Sequence, residues 1–257
     1  MAAAAPLTGK CALVTGAAGA IGTAIARSLQ KAGVNVALLD ITADGLAALA
    51  GELGALGGGG KVLPITVDIS DAAAIEAAVG KIKAAEGFGA PDILINVAGI
   101  LSNNKLKETS LEEWNRVMNI NSTAAFLLCQ ACCPAMAEKG WGRVVNITSW
   151  AWKSGGLTAG TAYAASKGAM TSLTFSVALQ YAKQGITCNG IAPCYVMSPM
   201  ITEQLTEEER QGLLAKIPVG KFCLPEEVAH TTEFLVSPLA GFITGEIIDQ
   251  NGGFQMD

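Results

Sequence analysis

Short, nearly continuous apolar runs alternate along the chain with longer stretches in which apolar residues recur at helical spacing. Seven runs rich in leucine and β-branched residues predict strands at Cys11–Thr15, Val34–Asp40, Val62–Val67, Ile93–Val97, Val144–Thr148, Ile186–Ile191 and Glu246–Asp249. Helical spacing lies between most of them, for example at Ala20–Ala32, Asp71–Ala85, Leu111–Met136 and Thr161–Ala182. Strands that are apolar on both faces are typical of a parallel sheet covered by helices. The pattern therefore predicts a doubly wound α/β fold with a parallel sheet of about seven strands.

No linker rich in proline or serine divides the chain, so we expect a single domain. The glycine run Gly57–Gly60 stands between a predicted helix and the next strand, which favours a surface turn over a hinge. Ligands of a doubly wound sheet bind beyond the carboxyl ends of its strands. The residues directly after each strand are therefore the first candidates for function.

Composition and charge narrow the class of protein. Of the 257 residues, 51% are hydrophobic and 15% are charged, and the net charge is −5. Nucleic acids and anionic membranes require clustered basic residues, so neither is an expected partner. The N-terminus lacks the features of a secretory signal, and no apolar run approaches the ~20 residues of a membrane span. The seven cysteines are odd in number, which suits a reduced, cytoplasmic protein.

A glycine-rich turn follows the first predicted strand and leads into a helix. It reads Thr15-Gly16-Ala17-Ala18-Gly19-Ala20-Ile21-Gly22, and small residues before a helix N-terminus let a pyrophosphate approach the backbone. Asp40 ends the second strand, near the ~20-residue spacing expected for a carboxylate that binds the adenosine ribose. Such a carboxylate would repel a 2′-phosphate, and neither Ala18 nor Ile41 supplies a cation. The turn therefore favours NAD over NADP.

Further polar and small residues follow the third and fourth strands at the same edge of the sheet. Asp68 could accept a hydrogen bond from the adenine amino group, and Ala98-Gly99 would let the backbone lie against the ribose. Each of these features alone is also compatible with ordinary turn chemistry.

A tyrosine and a lysine lie one helical turn apart in Tyr163-Ala164-Ala165-Ser166-Lys167. This spacing brings both side chains to one face of a helix. An ammonium beside a phenol favours the phenolate and lowers its pKa from about 10. A phenol tuned in this way can take a proton from an alcohol or give one to a carbonyl. Ser149 follows the fifth strand, where its hydroxyl could bind the same substrate oxygen.

These motifs together resemble the short-chain dehydrogenase/reductase family, with agreement in motif order from about residue 7 to residue 253. The resemblance rests on the Thr15–Gly22 turn, Asn96–Gly99, Asn121, Ser149 and the Tyr163/Lys167 pair. It implies a Rossmann-type fold and hydride transfer between a nicotinamide and a carbinol or carbonyl carbon, without a metal. It also implies a homotetramer.

The resemblance assigns catalytic roles to four residues. Tyr163 matches the catalytic acid/base, and Lys167 matches the residue that tunes it and holds the nicotinamide ribose. Ser149 matches the residue that orients and polarises the substrate. Asn121 matches the fourth member of the site, which helps to hold a water-linked proton relay through Lys167.

The motifs and the resemblance also predict the binding residues. The expected cofactor contacts are Gly16, Gly19, Ile21, Gly22, Asp40, Ile41, Asp68, Ile69, Asn96, Ala98, Gly99, Tyr163, Lys167, Pro193, Val196 and Ser198. The expected substrate contacts are Ser149, Trp150, Trp152, Tyr163, Cys194, Tyr195 and Met200. An insertion near residues 194–217 is a candidate lid, and Thr206-Glu207-Glu208-Glu209 reads as a capping box that starts a short helix.

The sequence departs from the family pattern in several places. Ala20 replaces the middle glycine of the turn, which is acceptable if its φ is negative. Cys194 replaces the glycine that commonly follows Pro193 and adds a thiol near the expected nicotinamide. Ser198 stands where the family often has threonine. The Ser149–Tyr163 spacing is one residue longer than is common.

The function predicted is that of an NAD-dependent oxidoreductase acting on a secondary alcohol or ketone of the sugar, polyol or cyclic alcohol type. Two alternatives stay open: a 3-ketoacyl (acyl-carrier) reductase that uses NADPH, and a non-catalytic dinucleotide sensor. Cys129, Cys132 and Cys133 recur at helical spacing and are interpreted as buried packing residues rather than metal ligands. The lone histidine, His230, is interpreted as non-catalytic.

Overall fold

The computed structural model describes residues 7–55, 57, 59–198 and 206–256. Within them, seven parallel strands form one sheet in the order β3-β2-β1-β4-β5-β6-β7. The strands are β1 (Cys11–Thr15), β2 (Asn35–Asp40), β3 (Val62–Thr66), β4 (Ile93–Asn96), β5 (Gly142–Ile147), β6 (Ile186–Pro193) and β7 (Ile247–Gln250). The strand order reverses between β1 and β4, which is where a doubly wound sheet opens a ligand crevice. The predicted fold class is confirmed.

Helices cover both faces of the sheet. They are α1 (Ala20–Lys31), α2 (Ala43–Ala55), α3 (Ala72–Ala84), α4 (Leu111–Met118), α5 (Ala124–Lys139), α6 (Ala151–Ser154), α7 (Thr161–Tyr181), α8 (Glu207–Leu214) and α9 (Pro225–Val236). Successive residues of a strand point to opposite faces, so Leu13 packs in a core with α3, α5 and α7. Val14 packs in the other core, with α1, α2 and α9. This alternation explains why both residues are apolar.

The predicted helix Leu111–Met136 is interrupted. Asn119–Thr123 forms a π-helical turn between α4 and α5, and Asn121 lies at its centre. Such turns insert one extra residue into a helix and are frequent at functional sites. Apolar spacing could not reveal this turn, because the helix continues in nearly the same direction on both sides.

The helical segment Leu111–Lys139 is long and apolar enough to cross a membrane by length and composition alone. This differs from the sequence-based expectation that no run approaches that length. Half of its most apolar window is buried inside the protein, and α5 belongs to the core beneath the sheet. Core helices of soluble proteins meet the same criterion.

The cysteines of α5 pack as the sequence predicts. Cys129, Cys132 and Cys133 are all buried in the core shared with α3 and α7. Burial raises the pKa of Cys132 to about 12, so this thiol stays protonated. His230 is exposed on α9 and does not line the cavity described below.

Candidate active site

The glycine-rich turn is packed too tightly for side chains at two of its positions. Gly16 has a φ of +61°, and a Cβ there would lie 2.9 Å from the Ala98 Cα atom. A Cβ on Gly22 would lie 2.1 Å from the Gly16 carbonyl oxygen. Gly19 is the N-cap of α1, with extended backbone. The turn thus brings the backbone that follows β1 directly against the backbone that follows β4.

Ala20 is accommodated as the sequence analysis requires. It is the first residue of α1, and no described non-glycine residue has a positive φ. The replacement of the family's glycine therefore introduces no backbone strain here.

Thr15 joins the turn to the loop after β4, a role that the sequence analysis did not assign. Its hydroxyl oxygen accepts hydrogen bonds from the backbone N–H groups of Val97 (3.1 Å) and Ala98 (3.2 Å). These bonds hold Ala98 and Gly99 at the edge of the crevice. A threonine at the last position of the first strand was the available signal.

Asp40 lies beside the turn, at the end of β2. Its Oδ2 accepts a hydrogen bond from the Ala18 N–H at 3.1 Å, and its Oδ1 accepts bonds from the Thr42 N–H at 3.0 Å and hydroxyl at 2.6 Å. The carboxylate is therefore held in one orientation next to the predicted pyrophosphate turn. Ile41 is 68% exposed beside it.

Asp68 and Ile69 follow β3. The Asp68 Oδ1 accepts the Ser70 N–H at 2.8 Å, and the bonds from Ser70 hold the pKa of Asp68 below its usual range. Asp68 is exposed and ionised, whereas Ile69 packs against the core under α3 and α5. Of the two, only Asp68 presents its side chain outward.

Asn96 differs from its predicted role. Its side chain is 2% exposed and donates a 2.8 Å hydrogen bond to Asn146 Oδ1 on β5, its register partner. Asn146 thus supplies the Asn96 Nδ2 group with an acceptor inside the protein, while Asn96 Oδ1 is buried without a partner. The Asn96 side chain is therefore not a cofactor contact, which is a correction to the sequence-based prediction.

Tyr163 and Lys167 share one face of α7, as their spacing predicts. The Lys167 Nζ atom lies 5.8 Å from the centroid of the Tyr163 ring. It donates a 2.8 Å hydrogen bond to the Ile147 carbonyl oxygen at the end of β5. The Lys167 side chain is almost fully buried, and burial lowers its pKa to about 8.

The predicted acidification of Tyr163 is wrong for this structure. Burial raises the pKa of Tyr163 above its ordinary value of 10, and a hydrogen bond with Ser149 offsets this only in part. The Lys167 ammonium is hydrogen-bonded to the Ile147 carbonyl and does not outweigh the effect of burial on the Tyr163 pKa. The phenol is therefore protonated at neutral pH and suited to donate a proton.

Ser149 is held at the end of β5 by the start of the following helix. Its Oγ accepts a 3.2 Å hydrogen bond from the Ala151 N–H, the first residue of α6. The Ser149 side chain also lowers the pKa of Tyr163, in partial opposition to burial. Both residues line the cavity described below, where their hydroxyls could bind a carbonyl or carbinol oxygen.

Asn121 ties three elements together through its side chain. Its Oδ1 accepts the Ile100 N–H at 2.8 Å, and its Nδ2 donates to the Ile100 carbonyl and to the Ser166 hydroxyl, both at 3.0 Å. The π-helical turn directs this side chain at the loop after β4 and at α7. A Cβ on Gly99 would lie 3.2 Å from Asn121 Oδ1 and 3.5 Å from Lys167 Nζ. The side chain therefore positions the surroundings of Lys167, and its part in a proton relay stays a prediction.

A cavity of about 340 Å³ opens beyond the carboxyl ends of β4, β5 and β6. Many predicted site residues line it: Ile21, Gly99, Ser149, Trp150, Tyr163, Lys167, Pro193, Cys194, Tyr195, Val196 and Ser198. The sequence analysis missed other lining residues, among them Leu101, Asn103, Thr158, Ala159 and Leu213. These lie in loops and in α8, where no strand end marks them.

The two tryptophans after β5 have different positions. Trp150 lines the cavity, and its indole N–H donates to Gln255 Oε1 at 2.6 Å while its ring meets Phe254 edge-on at 4.8 Å. Trp152 does not line the cavity. Its ring lies beside Lys153, with the ammonium 5.5 Å from the ring centroid. The predicted substrate contact of Trp152 is therefore corrected, because α6 rotates it away from Trp150.

The remaining predicted substrate contacts come from the segment after β6. Cys194 and Tyr195 line the cavity. Burial raises the pKa of Cys194 to about 12, so its thiol is neutral. The Tyr195 hydroxyl donates to Thr158 Oγ1 at 3.3 Å. Met200 lies outside the described residues.

The predicted capping box at Thr206 is present. The Thr206 N–H donates to Glu209 Oε2 at 2.8 Å, and Thr206 Oγ1 accepts the Glu209 N–H at 3.2 Å. These bonds start α8 at the position that the sequence predicts. Leu213 of α8 reaches the cavity, which is consistent with a substrate-covering role for this insertion.

The burial of Lys167 has a consequence for stability. Its pKa is about 8 in the folded protein and 10.5 ordinarily, so the folded state disfavours the proton that the unfolded chain binds. The cost is fully present below pH 8 and disappears as the pH rises toward 10.5. We expect the unfolding free energy to rise across this window by up to about 3 kcal/mol relative to a Lys167→Met variant.

Urea unfolding of both proteins at several pH values across this window measures the effect. Lys183→Met, which removes an exposed lysine, is the matched control and should follow the unsubstituted protein. Parallel curves for the unsubstituted protein and Lys167→Met would contradict the prediction.

Comparisons with known proteins show the family to which the chain is similar. A family model described as enoyl-(acyl carrier protein) reductase matches residues 16–255. The chain is 38% identical over 249 residues to the 3-oxoacyl-[acyl-carrier-protein] reductase FabG of Escherichia coli (strain K12), covering 96% of this chain and 98% of the relative. It is 37% identical over 248 residues to the D-threitol dehydrogenase of Mycolicibacterium smegmatis, with coverage of 96% and 94%.

Solved structures extend the comparison. A 3-oxoacyl-[acyl-carrier protein] reductase from Brucella melitensis superposes with a TM-score of 0.91 at 30% identity, covering 98% of this chain and 93% of that chain. A structure from Beutenbergia cavernae, described as an NAD(P)-dependent gluconate 5-dehydrogenase with bound NADP, has a TM-score of 0.87 at 32% identity, with coverage of 97% and 99%.

Proposed function

The chain belongs to the short-chain dehydrogenase/reductase family, and on this premise we propose that it is an NAD-dependent oxidoreductase. It transfers a hydride between the nicotinamide and an uncharged secondary alcohol or ketone of the sugar, polyol or cyclic alcohol type. The observation that carries the proposal is that Ser149, Tyr163 and Lys167 line one cavity, with the Lys167 Nζ 5.8 Å from the centroid of the tyrosine ring.

The described residues fit a nicotinamide dinucleotide. Gly16 and Gly22 have no room for a Cβ atom, and the turn that they form brings backbone N–H groups to the N-terminus of α1, where a pyrophosphate would bind. Asp40 is oriented beside that turn for the ribose hydroxyls. Lys167 would hold the nicotinamide ribose, and Ser198 would bind the carboxamide. Both of these side chains line the same cavity.

The protein's part in the reaction is proton transfer and orientation. When bound, the nicotinamide ring supplies or accepts the hydride. Tyr163 holds the proton that passes to the carbonyl oxygen in reduction, because its raised pKa keeps the phenol protonated. Ser149 orients the same oxygen through its hydroxyl. In the oxidation direction the alcohol proton would pass to the deprotonated form of Tyr163, which its raised pKa makes available only at alkaline pH.

The cavity wall indicates the substrate's charge. Among the described residues that line it, Lys167 is the only lysine or arginine, and its ammonium is assigned to the Ile147 carbonyl and the nicotinamide ribose. A carboxylate or phosphate buried here would lack a cationic partner, which is costly. Asn103 and Thr158 offer polar contacts between apolar walls. An uncharged hydroxy or keto compound suits this lining.

A second candidate function is that of a 3-oxoacyl (acyl-carrier) reductase that uses NADPH. The relatives from Escherichia coli and Brucella melitensis favour it, since both carry that name. Asp40 argues against NADPH, and the chain has 22 acidic against 17 basic residues, which suits an acidic carrier poorly. A non-catalytic dinucleotide sensor is a third possibility, which the complete Ser149, Tyr163 and Lys167 set makes less favourable.

A substrate screen separates these candidates. A panel of secondary alcohols assayed with NAD at alkaline pH should give NADH absorbance, whereas a 3-oxoacyl thioester with NADPH should turn over poorly. The reverse result would favour the acyl-carrier reductase. Binding of NADH without turnover of any compound would favour the sensor.

The choice of cofactor gives a separate prediction for Asp40. We expect kcat/KM with NAD to exceed that with NADP by about a hundredfold, and Asp40→Asn to reduce this ratio by about tenfold or more. Asparagine removes the charge and retains an acceptor for the Ala18 N–H. Steady-state kinetics with both cofactors measure the ratio.

Asp44→Asn is the matched control, because Asp44 is an exposed carboxylate in the first turn of α2. It should leave the ratio unchanged. An unchanged ratio in Asp40→Asn, or a preference for NADP in the unsubstituted protein, would overturn this assignment.

We also propose a cytoplasmic location and assembly as a homotetramer. All seven cysteines are free, as expected in a reducing compartment. The neighbouring helices α5 and α7 carry half-exposed Phe126 and Phe175 and an 85% exposed Leu179, side chains that an assembly would cover. Light scattering of the purified protein tests the stoichiometry.

A further inference from the structure

Lys105 binds an unusual set of partners for a surface lysine. Its Nζ donates to the carbonyl oxygens of Gly156 and Ala159, both at 2.5 Å, and of Leu157 at 3.3 Å. An ammonium has three N–H donors, so these carbonyls account for all of them. Lys105 is an exposed residue, and an exposed lysine normally keeps its rotamer freedom in water.

The three carbonyls belong to residues 155–160, which we call the wall loop. It begins with Gly155 and Gly156 at φ values of +65° and +78°, so it curls back on itself. Thr158 and Ala159 of this loop line the cavity. The Lys105 ammonium thus bridges the carbonyl groups on either side of these two cavity-lining residues.

Two further contacts join the wall loop to the segment that carries Lys105. The Gly160 N–H donates to the Ser102 carbonyl at 2.5 Å, and the Thr161 N–H donates to the Asn104 carbonyl at 3.0 Å. Glu113 at the start of α4 accepts hydrogen bonds from the Ser102 hydroxyl and from Asn104 Nδ2. The same segment presents Leu101 and Asn103 to the cavity. Two segments that line the cavity are thus hydrogen-bonded to each other.

We propose that Lys105 is a positioning residue that holds the wall loop closed against residues 101–105 and so sets the affinity for substrate. The inference rests on the proposed function, since it concerns the substrate side of the same cavity. The dinucleotide side is independent of it, because the glycine-rich turn and Asp40 make none of these contacts. Loss of the ammonium should therefore weaken substrate binding and leave cofactor binding unchanged.

The test compares Lys105→Met with Lys105→Arg and Lys107→Met. Methionine retains an apolar stem without donors, arginine restores donors, and Lys107 is an exposed lysine outside the cavity lining. With the substrate found in the screen, Lys105→Met should raise KM about tenfold and change kcat by less than about threefold. The dissociation constant for NADH, measured by fluorescence, should not move. Lys105→Arg should recover most of the lost affinity.

An equal rise in KM for Lys107→Met, or no rise for Lys105→Met, would overturn the proposal. A parallel loss of NADH affinity would also overturn it, because it would indicate general loosening. Hydrogen exchange tests the proposal independently of any activity. The amides of residues 156–161 should exchange faster in Lys105→Met than in Lys107→Met. Equal exchange rates would contradict the proposal even if no substrate is found.

Discussion

Replacing Tyr163 with phenylalanine is expected to lower kcat/KM by about a thousandfold, since general acid–base catalysis contributes about 10²–10⁴-fold. In the proposed mechanism the part-buried phenol exchanges a proton with the substrate oxygen, and it lines the cavity together with Ser149. Phenylalanine fills the same volume, so the fold and the dinucleotide crevice should persist. Initial rates from NADH absorbance and NADH affinity from fluorescence measure the two effects separately.

Tyr195→Phe is the matched control for this substitution. Tyr195 lines the same cavity, and its hydroxyl bonds only Thr158 among the described contacts. Its loss should change kcat/KM by less than about tenfold. Turnover in Tyr163→Phe within tenfold of the unsubstituted protein would remove the basis of the proposed mechanism.

Gly22→Ala is expected to have the second largest effect, on cofactor binding. The added Cβ would lie 2.1 Å from the Gly16 carbonyl oxygen, so the turn must open by more than an ångström to admit it. Opening displaces the backbone that receives the pyrophosphate, and we expect NADH to bind about a hundredfold more weakly, equivalent to about 3 kcal/mol. The free energy of unfolding should also fall, by about 1–3 kcal/mol.

Two glycines provide the controls. A Cβ at Gly19 would lie 3.3 Å from the same carbonyl oxygen, and one at Gly54 on α2 would meet nothing within 4 Å. NADH affinity should therefore follow the order Gly54→Ala, Gly19→Ala, Gly22→Ala, from strongest to weakest. Tight NADH binding by folded Gly22→Ala would show that the turn does not receive the dinucleotide.

Asn121 could be identified from the sequence only as a member of a motif, and Lys105 could not be identified at all. Asn121 matched a family position, yet its hydrogen bonds to Ile100 and Ser166 depend on a π-helical turn that periodicity cannot register. No sequence feature indicated a role for Lys105, because its partners are backbone carbonyls of a loop about 50 residues away in sequence. Backbone groups have no sequence identity, so such contacts are invisible before folding.

The charge states of the residues in the candidate site also could not be predicted from the sequence. Spacing on α7 correctly brought Tyr163 and Lys167 together, but it could not say how deeply α7 is buried. Burial reverses the expected direction for Tyr163, raising its pKa, and lowers that of Lys167 to about 8. A pair's Coulomb attraction depends on separation along one helix, whereas desolvation depends on every element packed around it.

The sequence by itself determined the parallel sheet, the two helical layers, the glycine-rich turn and the identity of the hydroxyl and ammonium groups after β5 and on α7. These follow from local rules: strand and helix periodicity, steric freedom at glycine, and side-chain chemistry at strand ends. Only the tertiary structure decided that the Asn96 side chain is buried in the core, that Trp152 does not line the cavity and that Lys105 hydrogen-bonds the wall loop. Those outcomes depend on which backbone and side-chain groups, distant in sequence, come into contact in the folded protein. No local pattern specifies those contacts.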